Sequence, residues 1–228
     1  MGTVIALKVI RVVVLTAIGF VLLISQCRKP KWWIGRLYVR MMNRTHAALT
    51  RWGLTHVSIG ANDTILDVGC GGGRTIHSLA LAAPSGRVDG IDHSEQSVAV
   101  ARKLNADLIA AGRVDVQHAS VSCLPFPDST FDLATAVETF YYWPDPVNDL
   151  REVLRVLKPG GRLVVIAEVF RRKERDKAVP LVMKFLGGTC PSAREVKDQF
   201  IAAGFADVET SEEARHGWLC ATASRPAT

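Results

Sequence analysis

Thr64-Ile-Leu-Asp-Val-Gly-Cys-Gly-Gly-Gly-Arg-Thr75 is a short apolar run that ends in an acid and opens into a glycine-rich turn. Ile65, Leu66 and Val68 read as a buried strand. Gly71, Gly72 and Gly73 let the backbone turn sharply, and Ile76, Leu79, Ala80 and Leu81 resume at helical spacing. The stretch is a strand, a turn and a helix in the order used by nucleotide sites, and it predicts an α/β chain.

The glycines discriminate between such sites. Gly69 and Gly71 fit the first two positions of G-x-G-x-x-G, but the third is occupied by Arg74. Asp67 stands two residues before Gly69, where a carboxylate repels a pyrophosphate and accepts hydrogen bonds from an ammonium group. The expected ligand is a zwitterion rather than a diphosphate.

Asp67-Val-Gly-Cys-Gly-Gly-Gly73 resembles the first motif of class I S-adenosylmethionine (SAM)-dependent methyltransferases, of the small-molecule, methyltransferase-11-like type. Three more stretches follow in the family's order. Gly90-Ile-Asp-His-Ser94 is similar to its acid-tipped second strand, Leu124-Pro-Phe-Pro-Asp-Ser-Thr-Phe-Asp132 to the loop before the fourth strand, and Leu157-Lys-Pro-Gly-Gly-Arg-Leu163 to the turn into the fifth. The resemblance implies a doubly wound, mostly parallel, seven-stranded Rossmann-like sheet with an antiparallel edge strand. It also implies SAM as cofactor and S-adenosylhomocysteine as product.

Carried over position by position, it assigns Asp67, Gly69, Cys70 and Gly71 to the cofactor's amino-acid end. Asp92 goes to the ribose hydroxyls, with His93 near the adenine. The loop 119–124 is where the family commonly places an acid for the adenine amino group; here Ser120 occupies that position, leaving Ser120 and the Val121 backbone as contacts. Phe131–Val137 reads as the fourth strand and delivers Glu138 over the cofactor. No metal-ligand set is read. His46, Glu138 and Tyr141 are the reachable candidates for a base if the acceptor is a thiol, phenol or amine, though none matches a fixed catalytic motif.

Composition bounds the rest. The 228 residues suffice for one α/β domain and a short extension. Five cysteines without a C-x-x-C pair argue against a disulfide framework and a zinc site. The chain is basic, with formal charge +6, and part of that excess lies beside an apolar segment. From Thr3 to Ser25 only Lys8 and Arg11 interrupt the apolar sequence. The clean run Val12–Ile24 covers about 20 Å, short of the roughly 30 Å hydrocarbon core, whereas the longer segment spans it if the cations snorkel. A cleaved signal peptide is the rival reading, opposed by Gln26 and by the lack of a small-x-small cleavage site. Five Lys/Arg between Arg28 and Arg40 against two before the run favour a cytoplasmic catalytic domain, with Trp32 and Trp33 suited to the headgroup layer.

The expected division is 1–30 anchor with basic flank, 31–60 amphipathic cap helix, and 61–228 SAM-binding domain. In the cap, Gly53 is expected to end the helix; the resemblance implies that this helix closes over the cofactor with Asn43, Arg44 and His46 lining the site, a plain surface histidine being the other reading of His46. Val98, Ala101, Leu104, Leu108 and Ile109 predict the buried face of a helix starting at Ser94, and the fifth strand is read over Arg162–Val169. Ser192 and Gly204 bracket a later helix, and two closing strands read as an antiparallel hairpin. Tyr141, Tyr142 and Trp143 form an aromatic cluster that either packs around a methyl acceptor or wedges the following helix, Val147 to Leu157, against the sheet, and Val179–Leu186 is an apolar patch where either a substrate pocket or a membrane contact is expected. The expected partners are a small, lipophilic methyl acceptor and membrane lipids. A nucleic-acid methyltransferase is disfavoured because Glu138-Thr-Phe-Tyr141 stands where an Asn/Asp-Pro-Pro-Tyr/Phe motif is required, and a non-catalytic scaffold because the glycines and Asp92 are present.

Overall fold

The computed structural model describes residues 45–172 and 178–227. The apolar segment, its basic flank, Trp32–Trp33, the first part of the cap with Asn43 and Arg44, and residues 173–177 of the charge run lie outside the described residues. Among the described residues no helix is long and apolar enough to cross a membrane.

Helix α1 (Ala47–Leu54) leads into β1 (Thr64–Val68), α2 (Arg74–Ala82) and β2 (Arg87–Asp92). Then come α3 (Glu95–Leu104), α4 (Ala106–Ala110), β3 (Val114–His118), β4 (Phe131–Val137), a 3₁₀ turn (Phe140–Tyr142), α5 (Pro146–Val156) and β5 (Leu157–Ala167). The chain closes with α6 (Ala178–Phe185), α7 (Ala193–Ala203), β6 (Ala206–Glu213) and β7 (Trp218–Ser224). The seven strands run in the order β3-β2-β1-β4-β5-β7-β6, with the first five parallel. The closing hairpin is present, and its antiparallel strand β7 sits one place in from the border, between β5 and β6.

Alternation along the strands builds two cores. Leu66 and Val68 of β1 face α5 and α7 with Leu150, Val153 and Phe200, while Ile65 faces α1, α2 and α3 with Leu49, Leu79 and Val98. Because β1 is followed by β2 on one side and paired with β4 on the other, the order reverses between β1 and β4. A crevice opens there beyond the carboxyl ends of both strands.

Three expectations are corrected. Gly53 lies inside the last turn of α1, where a Cβ would come within 2.3 Å of the Ile166 side chain; the missing side chain lets the helix rest on β5. The helix from Ser94 breaks at Asn105, whose side-chain amide donates to the Gly73 and Ala101 carbonyls, so Leu104 turns outward and is 46% exposed. Strand β5 begins at Leu157, earlier than Arg162, because Lys-Pro-Gly-Gly forms an irregularity within the strand: Leu157 still pairs with Phe131, and Lys158 reaches Asp132 at 2.8 Å.

Candidate active site

The crevice is a cavity of about 640 Å³ walled by the carboxyl ends of β1, β2 and β4, the glycine turn and α1. The turn is wrapped around the end of β2: Gly69 and Cys70 N–H both donate to the Ile91 carbonyl at 2.8 Å. Gly69 has φ +72°, and a Cβ there would meet the Thr139 hydroxyl at 2.2 Å, so the position requires glycine. Gly71, at φ +52°, differs: its Cβ would meet nothing within 4 Å, and the residue lines the cavity. The chain there leaves room for a ligand against bare backbone.

Two carboxylates bracket this turn. Asp92 accepts from Gly71 N–H at 2.9 Å through one oxygen and from Ser94 N–H at 2.8 Å through the other. Burial raises its pKa, and these donors and His93 work against the shift. Asp67, fully buried, accepts from the Thr135 hydroxyl at 2.6 Å through Oδ1, while Oδ2 has no partner. Burial pushes Asp67 up to about 7, with Thr135 opposing and Asp92 reinforcing the shift. A buried acid with an unused oxygen, in the wall of a cavity, is suited to a cationic or hydrogen-bond-donating group of a ligand.

His93, half exposed, places Nδ1 3.7 Å from Asp92. Ser120 is exposed and its hydroxyl accepts from Ser122 N–H, while Val121 is buried; both line the cavity, as do Cys70 and His93. Cys70 is a free, buried thiol whose pKa burial raises.

At the other end stand the candidates for a base. Glu138 has φ +58°, and its carboxylate accepts from the Tyr141 hydroxyl at 2.8 Å and from Glu168 N–H at 2.5 Å. Burial raises its pKa to about 7; the Glu168 N–H opposes this and the nearby Glu168 charge adds to it. His46 Nε2 lies 4.0 Å from Glu138, and desolvation lowers the imidazole pKa against the raising effect of Glu168. Tyr141 stands behind Glu138 and outside the cavity wall, 6% exposed, with its pKa raised by burial and by Glu138. Its geometry orients Glu138 instead of meeting an acceptor. Tyr142, Trp143 and Pro144 complete the wall.

The sequence reading brings Thr139 to the ligand edge of the sheet with Glu138, but does not single out Thr135 or Glu168 for the site. Glu168 was reachable: it follows the carboxyl end of β5, the strand beside β4, by the same rule that singles out Glu138. His46, Glu138 and Glu168 bring ligand atoms within 4.8 Å of one another, a grouping that bears on the expectation of no metal ligands.

The sequence model of the methyltransferase domain family matches residues 66–165, which span β1 to β5 and hold all of the cavity's glycine and aspartate residues. With the fold around it, this match supports a class I SAM-dependent methyltransferase. It is 29% identical over 190 residues to the uncharacterized methyltransferase YdaC of Bacillus subtilis, covering 82% of this chain and 97% of that one. It is also 35% identical over 164 residues to the 2-methyl-6-phytyl-1,4-hydroquinone methyltransferase of Synechocystis, covering 71% and 47%. A solved SAM-dependent methyltransferase from Aquifex aeolicus shares the fold, with a TM-score of 0.67 and 24% identity over 83% of this chain and 98% of that one. The chain spans less than half the length of most of the curated relatives it matches.

SAM fits the residues of the crevice. The open backbone at Gly71 and the unpaired Asp67 oxygen match the amino-acid end of a zwitterion, and Asp92 at the tip of β2 keeps acceptor capacity beyond its two backbone donors.

Proposed function

We propose that the methyltransferase transfers a methyl group to a small, lipophilic acceptor through Glu138, on a catalytic domain held at the cytoplasmic face of a membrane by the apolar segment 3–26. The observation that supports it most is the placement of Glu138: a carboxylate nearly closed off from water and held by two donors at the cavity's edge. Asp67, Gly69, Cys70 and Gly71 would hold the amino-acid end of SAM, Asp92 the ribose, and His93, Ser120 and Val121 the adenine. When bound, SAM supplies a sulfonium methyl group to be displaced in line by the acceptor's lone pair, the C–S electrons returning to sulfur.

What the chain supplies is position and a place for the proton. Glu138, with a pKa near 7, takes the proton from an acceptor hydroxyl, and Tyr141 and the Glu168 N–H fix the carboxylate's direction. His46, its Nε2 4.0 Å from the carboxylate and its charged form disfavoured by burial, stands beside Glu138 at the cavity wall. Aromatic side chains at Tyr142 and Trp143 suit a ring. The Synechocystis relative, which acts on a prenylated hydroquinone, supports an acceptor of this chemistry.

Incubating the detergent-solubilised protein with labelled SAM and a panel of hydroquinones, phenols, thiols, amines and lipids tests the reading. The expected product is a methylated lipophilic ring, and Glu138→Gln lowers kcat by about a hundredfold or more while SAM still binds. Turnover confined to water-soluble amines would sink it.

A further inference from the structure

Helix α6 leaves an apolar face uncovered. Leu181 is 70% exposed, Val182 50% and Phe185 72%, and their spacing of i, i+1 and i+4 puts them on one side. On the opposite side Met183 is buried against Tyr141, the residue that donates to Glu138. The helix is thus anchored to the acceptor end of the cavity by one face and presents large aliphatic and aromatic groups with the other. Scattered exposed apolar residues are ordinary, but a contiguous set on one helix marks a surface that meets something apolar.

Lys184, exposed on α6, stands beside this face, and the stretch leading into the helix is basic in sequence: from Arg171 to Lys184 there are six Lys/Arg against two acids, of which 173–177 lie outside the described residues, and Arg171 is tied to Glu195. A second copy seated on the same face would bring two basic borders together, since a two-fold contact pairs a surface with itself. An anionic bilayer meets both needs, with acyl chains for the apolar stripe and headgroups for the cations. The attachment of the chain agrees. The apolar segment and its basic flank precede Thr45, and His46, two residues into α1's approach, stands 4.0 Å from Glu138. His46, Glu138, Tyr141 and Met183 connect the point where that segment joins the domain to α6.

We propose that α6 is a second membrane contact: Leu181, Val182 and Phe185 enter the interfacial layer of an anionic membrane and set the acceptor end of the cavity against it. This rests on the membrane reading above and adds to it where the acceptor enters. A lipophilic acceptor then reaches Glu138 from the bilayer without crossing water.

The test uses the full chain in phosphatidylcholine vesicles with and without phosphatidylglycerol, carrying a phospholipid with a photo-activated acyl chain, followed by mass mapping of labelled peptides. Label is expected on peptide 178–184 in the anionic vesicles. It should fall by roughly fivefold for each surface cation when the anionic lipid is left out. The double variant Leu181→Asp/Phe185→Asp should lose it, while keeping label within residues 1–27 and the SAM dissociation constant of the wild type. Label confined to residues 1–27, or unchanged in the double variant, overturns the α6 contact alone. Label on neither segment overturns the membrane reading with it, and a dimer in solution that shields α6 assigns the face to a second copy instead.

Discussion

Asp67 and Asp92 sit on neighbouring strands, are both buried, and yet are provided for differently. Asp92 has a backbone donor for each oxygen, so its carboxylate shapes the turn as well as meeting a ligand. Asp92→Ala should weaken SAM binding by about ten- to a hundredfold, the range of about 1.5–3 kcal/mol for a hydrogen bond to a charged group. Calorimetry measures it, and an affinity equal to wild type in a folded variant would remove Asp92 from the ribose. Asp67 has one donor and one idle oxygen, and its pKa stands at about 7 against an ordinary value of 3.8. A carboxyl whose pKa is raised on folding holds its proton more tightly in the folded state. Its contribution to stability is therefore complete below about pH 4 and is lost as the pH rises through 7. A cationic ligand reverses the preference by favouring the carboxylate, with Asp92 close by adding negative charge and the Cys70 thiol staying protonated. SAM affinity should rise with pH toward 7 and level off above it, with proton release on binding at pH 6. Titrations in buffers of different ionisation enthalpy detect that proton, and Asp67→Asn should abolish it. A proton count of zero in the wild type would assign the ammonium to another group.

The glycine turn separates two kinds of glycine that look alike in the sequence. Gly69→Ala drives a Cβ into Thr139 and strains a φ of +72°, so it should lower stability by about 1–3 kcal/mol and shift the melting temperature measurably. Gly71→Ala adds a methyl group to open space at the cavity, so the cost in stability should stay near 1 kcal/mol while SAM affinity falls steeply. Thermal shift with and without SAM distinguishes them, and equal effects of the two substitutions on folding and on binding would refute the division. The strand, turn and helix were legible because their signals are local: alternation, glycine position, and an N-cap at Ser94 that accepts from Ser97 N–H. The helix break at Asn105 was not, because the hydrogen bond that makes it reaches Gly73 across the fold. Glu168 was within reach as an acid at a strand end, but the bond from its N–H to Glu138 exists only once β5 lies beside β4. The inward role of Tyr141 likewise depends on Met183 of α6, more than forty residues later in the chain.

At the scale of the molecule, the seven strands, the two larger cores and the residues lining the cavity are all found among the described residues, which begin at Thr45. Deleting residues 1–27 should leave a folded, SAM-binding protein whose attachment to anionic membranes changes in kind. A hydrophobic anchor resists salt, whereas an interfacial helix with a cationic border is weakened as the Debye length falls from about 8 Å at physiological ionic strength to about 3 Å at 1 M. The full chain should therefore need detergent for extraction and the truncated one only salt. Delivery of the acceptor should change with it. The apparent KM for a lipophilic acceptor in liposomes should rise on truncation, because less of the enzyme resides where that acceptor is concentrated, while KM for a water-soluble analogue and for SAM stays the same. Fractionation and steady-state kinetics on the two proteins decide the matter. If KM for the lipophilic acceptor is the same in both, residues 1–27 fix only where the enzyme resides, and the cavity meets its acceptor from water.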